Sequence, residues 1–135
     1  MQQPIRVEFM SQPAESPIPL PTGSIDTAVL TWTLCSVADP RRALHEIGRI
    51  LKPDGRLLFI EHGSAPDSRV RGLQHWITPL WKRLAGGCHL DRQVNMILGE
   101  AGYDLVDSET GYLPGPRPVT FTYRGIARLR GEGYF

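Results

Sequence analysis

His62 stands directly behind the apolar run Leu57-Leu58-Phe59-Ile60, with Glu61 between them. An imidazole at the end of a strand titrates near neutrality, so it can take a proton from an attacking nucleophile. A surface histidine without a role fits the same letters, and Glu61 either orients the ring or solvates the strand end. A second apolar run closes in Thr31-Trp32-Thr33-Leu34, ahead of Cys35-Ser36-Val37. Trp76 and Trp81, with Ile77 and Leu80 between them, read as aromatic walls for an apolar acceptor or a cation, or as plain core. Cys35, His62, Cys88 and His89 are all metal-ligand types, but they lack the close doublets of a structural zinc site, and no metal centre is expected.

Alternating strand and helix signals must position these groups. Ile5 to Met10 alternates apolar and polar with period two, the pattern of a half-buried strand. Pro13, Pro17, Pro19 and Pro21 make residues 11–24 a loop. Asp26 to Trp32 is a mostly apolar run, expected as a strand covered on both faces. Asp39-Pro40 reads as a cap with proline in the first helical turn. Ala43, Leu44, Ile47, Ile50 and Leu51 then recur at helical spacing until Lys52-Pro53-Asp54-Gly55, and Arg56 to Glu61 forms the next strand. Strand, helix and strand over so short a stretch make a βαβ unit with parallel strands and a right-handed crossover. A helix kinked or broken at Pro79 follows. Another runs from about Arg92 to Ala101 with Asp91 as its cap, and the strands Tyr103 to Thr110 and Thr120 to Leu129 finish the chain as an antiparallel pair. The fold class is therefore α/β.

Composition excludes several classes. The chain has 135 residues, with Lys+Arg 15 against Asp+Glu 14 and a formal charge of +1, so no polybasic nucleic-acid surface is expected. Thirteen of the bases are Arg, scattered without a block. Two cysteines without a disulfide framework suit a reduced, cytoplasmic protein. The longest aliphatic or aromatic run is four residues, far below the roughly 20 of a membrane span. Peripheral membrane contact stays open.

Several tracts together carry a resemblance: Ala14-Glu15, Leu20-Pro21, Ser24-Ile25-Asp26, the strand ending Thr31-Trp32-Thr33-Leu34-Cys35-Ser36-Val37, and Leu44-His45-Glu46-Ile47-Gly48-Arg49-Ile50-Leu51-Lys52-Pro53-Asp54-Gly55. They resemble the second half of a class I S-adenosylmethionine-dependent methyltransferase, type 11. Ile60-Glu61-His62-Gly63 and the segment Trp81 to Leu90 are similar to the thiol methyltransferases, and more loosely to the ubiquinone and menaquinone C-methyltransferases. The resemblance implies a Rossmann-like sheet, its C-terminal portion, mostly parallel with an antiparallel final strand. It implies S-adenosylmethionine as cofactor, with Ala14, Glu15 and Ser16 against the adenine and Thr31, Trp32, Thr33 and Leu34 under the methionine part. It also implies His62 as a catalytic base or orienting group and a small, apolar acceptor.

The family's glycine-rich turn and ribose-binding acid have no counterpart here. The resemblance therefore implies one domain lacking its first two βα units, with Ile5 to Met10 as the family's third strand and weak cofactor affinity for the chain alone. Two readings follow: methyl transfer to a small acceptor, or a catalytically silent methyltransferase-like fragment acting as a binding or assembly module. A third, half of a nucleotide-binding dehydrogenase, fails because neither lysine has a tyrosine four residues before it. Loss of the neighbouring strand leaves Thr27 to Trp32 as an apolar edge, expected to self-associate into a homo-oligomer or to pair with Ile5 to Met10.

Overall fold

A computed structural model describes residues 4–131. Strand β1 (Ile25–Thr31) leads into helix α1 (Pro40–Ile50), which passes without a loop into β2 (Leu51–His62). Helices α2 (Ser68–Leu84) and α3 (Val94–Glu100) precede β3 (Tyr103–Tyr112), the short α4 (Arg117–Thr120) and β4 (Phe121–Leu129). The sheet order is β1-β2-β4-β3. β1 and β2 pair parallel, and β4 runs antiparallel to both neighbours. Three strands therefore share one direction and the last is reversed, as the sequence resemblance implies.

Each local signal has a visible cause. The Asp39 side chain accepts from the Arg42 amide at 3.1 Å, and Pro40 fills the first turn of α1, where no amide partner is required. Ala43, Leu44, Ile47 and Ile50 turn inward. Leu44 and Ile47 meet Leu30, Leu57, Phe59, Ile97, Leu98 and Ala127 in one apolar core. Tyr103 lies within it and donates to the Leu44 carbonyl at 2.7 Å, which satisfies the one polar atom its ring brings inside. The turn at Lys52 to Gly55 is an excursion within β2: Ile25 pairs with Leu51 and Thr27 already with Arg56.

Four expectations change. Ile5 to Met10 forms no strand, and Ile5, Val7, Phe9 and Met10 are exposed, so this segment does not pair with β1. Period-two alternation describes a face and does not select a partner; the outer edge of β1 is open, yet this segment is not laid against it. β1 is covered on one face only, with Leu30 buried and Val29 exposed, because α1 and α3 pack on the same side. Helix α2 runs unbroken through Pro79. Helix α3 starts at Val94 behind Gln93, because Asp91 is drawn to His75, 2.8 Å away, and Arg92 into the loop after β1.

Candidate functional site

The parallel strands β1 and β2 end side by side, and ligand sites in such sheets lie beyond these carboxyl ends. Trp32 is the first residue past β1. Its amide donates to the Ile60 carbonyl at 2.8 Å, while its backbone turns to φ +47°, a left-handed conformation that a tryptophan adopts only under constraint. The ring lies over His62, with centroids 5.6 Å apart and planes 28° from parallel, and stays 42% exposed.

Three charged side chains from separate elements fix the loop that follows. Glu61, fully buried, accepts from the Thr33 amide at 3.0 Å and the Cys35 amide at 3.3 Å. Burial raises its carboxyl above the ordinary range against the pull of these amides. Glu61 thus neither orients His62 nor solvates the strand end; it shapes the loop. Arg92 donates from one nitrogen to the carbonyls of Leu34 and Val37, both at 2.6 Å. Glu15 accepts from the amides of Ala38 and Asp39 at 2.8 and 3.3 Å. Its own backbone amide and that of Asp39 hold the carboxylate below its usual range.

A cleft of about 190 Å³ opens beside this loop, lined by Trp32, Cys35, Ser36, His62, Trp81, Ala85 and Cys88. His62 is half-buried; its Nδ1 is enclosed and has no hydrogen-bond partner, and the same is true of Trp81 Nε1. Burial pushes the imidazole pKa down, so the ring is neutral at neutral pH. The two thiols are free and meet across the cleft wall, where the His89 amide donates to the Cys35 carbonyl at 2.6 Å. Of this thiol pair Cys35 ionises first, through the hydrogen bond from Cys88. Among the described residues no group of three or more His, Cys, Asp and Glu is placed to hold a metal ion.

The sequence-predicted residues divide. Trp32 and His62 come together at the cleft. The Leu34 side chain is buried in the main core and offers a ligand only its backbone. The turn at Ala14, Glu15 and Ser16, closed by the Ser16 amide on the Pro13 carbonyl at 3.1 Å, docks at the start of α1 through Glu15. Trp81 lines the cleft, whereas Trp76 faces solvent. Arg92 and Arg49 were not legible as site residues. Arg49 clamps the proline-rich loop by donating to the Leu20 and Ile18 carbonyls at 3.0 and 2.8 Å. Both act on carbonyls far away in sequence, which no spacing rule reports.

A cofactor carrying a sulfonium fits this half of a site: the exposed face of Trp32 suits a cation, and the His62 ring lines the same cleft. No Gly-x-Gly-x-x-Gly turn for its other end occurs in the sequence.

Comparison with known proteins agrees. Residues 1–59 match the profile of a family described as a methyltransferase domain. A thiol S-methyltransferase of Rattus norvegicus is 40% identical over 103 residues, covering 76% of this chain and 39% of that protein. Its Homo sapiens counterpart is 37% identical over 102 residues, covering 75% of this chain and 42% of that protein. The chain thus spans about two fifths of these relatives. A solved S-adenosylmethionine-dependent methyltransferase of Methanosarcina mazei shares the fold, with TM-score 0.72 at 21% identity, over 94% of this chain and 69% of that one. A solved [4+2]-cyclase does so as well, with TM-score 0.71 at 20% identity, over 93% of this chain and 58% of that one. With the strand order and these matches in agreement, the chain belongs to the class I S-adenosylmethionine-dependent methyltransferases of the type 11 domain family.

Proposed function

We propose that this chain builds the acceptor side of a methyl-transfer site and methylates a small, apolar acceptor bearing an ionisable X–H group, a thiol before others. The observation that carries the reading is His62 Nδ1: enclosed, without a partner, and set in a cleft walled by two tryptophans and two thiols. A buried acceptor atom with nothing to accept from costs about 1–3 kcal/mol. A ligand X–H pointing at it recovers that loss. The thiol preference is supported by the relatives named as thiol S-methyltransferases.

S-adenosylmethionine supplies an electrophilic methyl group on sulfur. The loop at Ala14 to Ser16 and the strand end from Thr31 to Thr33 would hold it on this chain, with the backbone of Leu34 beneath. The Trp32 face would suit its positive sulfur, and the same ring with Trp81 excludes water from the acceptor. His62, neutral because it is buried, takes the acceptor proton on its imidazole as the nucleophile forms. The loop after β1 needs no rearrangement, because Glu61 and Arg92 already fix it.

The test is transfer of a radiolabelled methyl group to a small aliphatic thiol, a phenol and an amine at high cofactor concentration, with wild type and His62→Gln. We expect transfer to the thiol, reduced about 100-fold or more in the variant, as loss of a general base gives. Transfer to the amine alone, or an unimpaired variant, overturns the acceptor assignment. A second reading has support in the open edge of β1, where Val29 is exposed and no described strand pairs. There the chain is a silent assembly module. A folded chain that shows no calorimetric heat with S-adenosylmethionine and no transfer at any concentration establishes that reading instead.

A further inference from the structure

Helix α2 has two unlike faces. On one, Gln74 and Thr78 are buried, and Ile77 and Trp81 pack against Cys35, Cys88 and Leu90. The other presents Leu73, Trp76, Leu80 and Leu84, which are 44%, 80%, 63% and 74% exposed. Steps of three, four and four residues set these side chains in one stripe along the helix. Gly72 borders the stripe, and a Cβ there would meet nothing within 4 Å, so no described part of the chain covers this side. Single exposed apolar residues are ordinary, but a continuous row with a tryptophan in it marks an interaction surface.

The charges on α2 have one sign. Arg69, Arg71, Lys82 and Arg83 are basic, and no Asp or Glu occurs between Ser68 and Leu84. None of the four bases is in an ion pair with a described residue. The nearest acids along the chain are engaged: Asp67 caps the first turn by accepting from the Arg69 amide at 2.8 Å, and Asp91 pairs with His75. Helical geometry puts Arg69 and Arg83 at opposite ends of the apolar stripe. Antiparallel stacking of two such stripes sets Arg69 of one copy against Arg83 of the other, which disfavours a second copy as the occupant. No described helix is long and apolar enough to cross a membrane. A helix with an apolar stripe, a tryptophan and a basic residue at each end of the stripe lies flat in the interface of a bilayer instead.

We propose that the exposed face of α2 docks on an anionic phospholipid surface, with Leu73, Trp76, Leu80 and Leu84 entering the acyl boundary and Arg69 and Arg83 at the phosphates. Arginine and lysine stems suit this geometry because they cover apolar surface while keeping their charged ends at the headgroups. The opposite side of the same helix carries Trp81 into the cleft, so a docked α2 places the cleft beside the membrane. An apolar acceptor dissolved in the bilayer then has a short path to His62. The surface itself does not depend on the methyl-transfer reading.

The experiment is co-sedimentation of the full chain with phosphatidylcholine vesicles, with and without phosphatidylglycerol. We expect binding to the phosphatidylglycerol vesicles that weakens as salt is raised, and little to phosphatidylcholine alone. Arg69→Gln and Arg83→Gln each lower the partition coefficient about fivefold, the ratio that roughly 1 kcal/mol per surface base gives. Trp76→Glu with Leu80→Glu lowers it more than about tenfold. The circular dichroism of that variant stays unchanged, since both side chains already face water. Equal binding of wild type and the double variant overturns the proposal, as does equal binding to neutral and anionic vesicles. Self-association of the chain that is lost with Trp76→Glu, without vesicle binding, assigns the face to a second copy and overturns it too.

Discussion

At Trp32 the backbone and the side chain make separable demands, and two substitutions tell them apart. A non-glycine residue in the left-handed region carries about 1–2 kcal/mol of strain. The φ of +47° places Trp32 there, held by its amide bond to Ile60 on one side and the Glu61-bound loop on the other. Trp32→Ala keeps the strain and loses the ring. Trp32→Gly loses both. At an ordinary strand end glycine is the less stable choice, because it gives up about 0.4–1 kcal/mol more chain entropy on folding. Here relief of the strain outweighs that cost, leaving Trp32→Gly more stable than Trp32→Ala by about 0.5–1 kcal/mol. With a urea dependence of roughly 1–3 kcal/mol per molar, the unfolding midpoints separate by about 0.5 M, glycine higher. Both variants fall below wild type by about 1–2 kcal/mol, since the ring buries more than half its surface and stacks on His62. Urea titration followed by circular dichroism reads all three. A midpoint for Trp32→Ala equal to or above that of Trp32→Gly refutes the assignment of strain.

Three further outcomes follow from the contacts. Burial holds His62 below the ordinary pKa of about 6.5, so on acidification the unfolded chain takes up a proton that the native ring refuses. The stability His62 contributes is complete above that value and declines as pH falls toward the native pKa; His62→Gln removes this part of the slope in urea midpoints between about pH 7 and pH 5. Gln74 is buried and ties three segments, accepting from the Ala65 amide at 2.9 Å and donating to the Gly63 and Pro118 carbonyls at 3.0 and 3.2 Å. Gln74→Leu leaves those groups unpaired at a cost of about 2–4 kcal/mol, and thermal unfolding shifts down by about 10 °C. Gly125 lies in β4 against the irregular stretch of β3, where a Cβ would come 2.2 Å from the Asp107 carbonyl oxygen and 2.9 Å from Ser108 Cα. Both are backbone atoms that cannot step aside, so Gly125→Ala destabilises by about 3 kcal/mol or more. Gly111→Ala, which meets nothing within 4 Å, stays within about 0.5 kcal/mol of wild type in the same melt.

What the sequence made legible was local. Asp39-Pro40 and the spacing of Ala43, Leu44, Ile47 and Ile50 locate α1 to within a residue or two, because a cap and a 3.6-residue period are both decided by neighbours in the chain. Strand runs ending at Trp32 and His62 likewise put these two residues at one end of a parallel sheet. The insertion of β4 between β2 and β3 is a pairing between distant segments and left no trace in periodicity; the resemblance supplied only the reversed direction of the final strand. Ile5 to Met10 shows the converse: a perfect alternating pattern yields no strand although the outer edge of β1 is open, because alternation selects a face and supplies no partner.

The roles of Glu15, Glu61 and Arg92 were illegible for the same reason, and their arrangement explains how a chain spanning two fifths of its relatives can present an organised cleft. Each charge is discharged against backbone amides or carbonyls of the residues between Thr33 and Asp39, not against an opposite charge. Backbone partners fix direction as well as distance, so such contacts from the proline-rich loop, strand β2 and the loop before α3 leave the segment after β1 little freedom. An ion pair between mobile side chains would not do this, and the exposed pairs on the surface, such as Arg6 with Glu8, constrain nothing in the cleft. The geometry at Trp32 and His62 is therefore a property of the described chain itself. The cleft is formed before any ligand arrives.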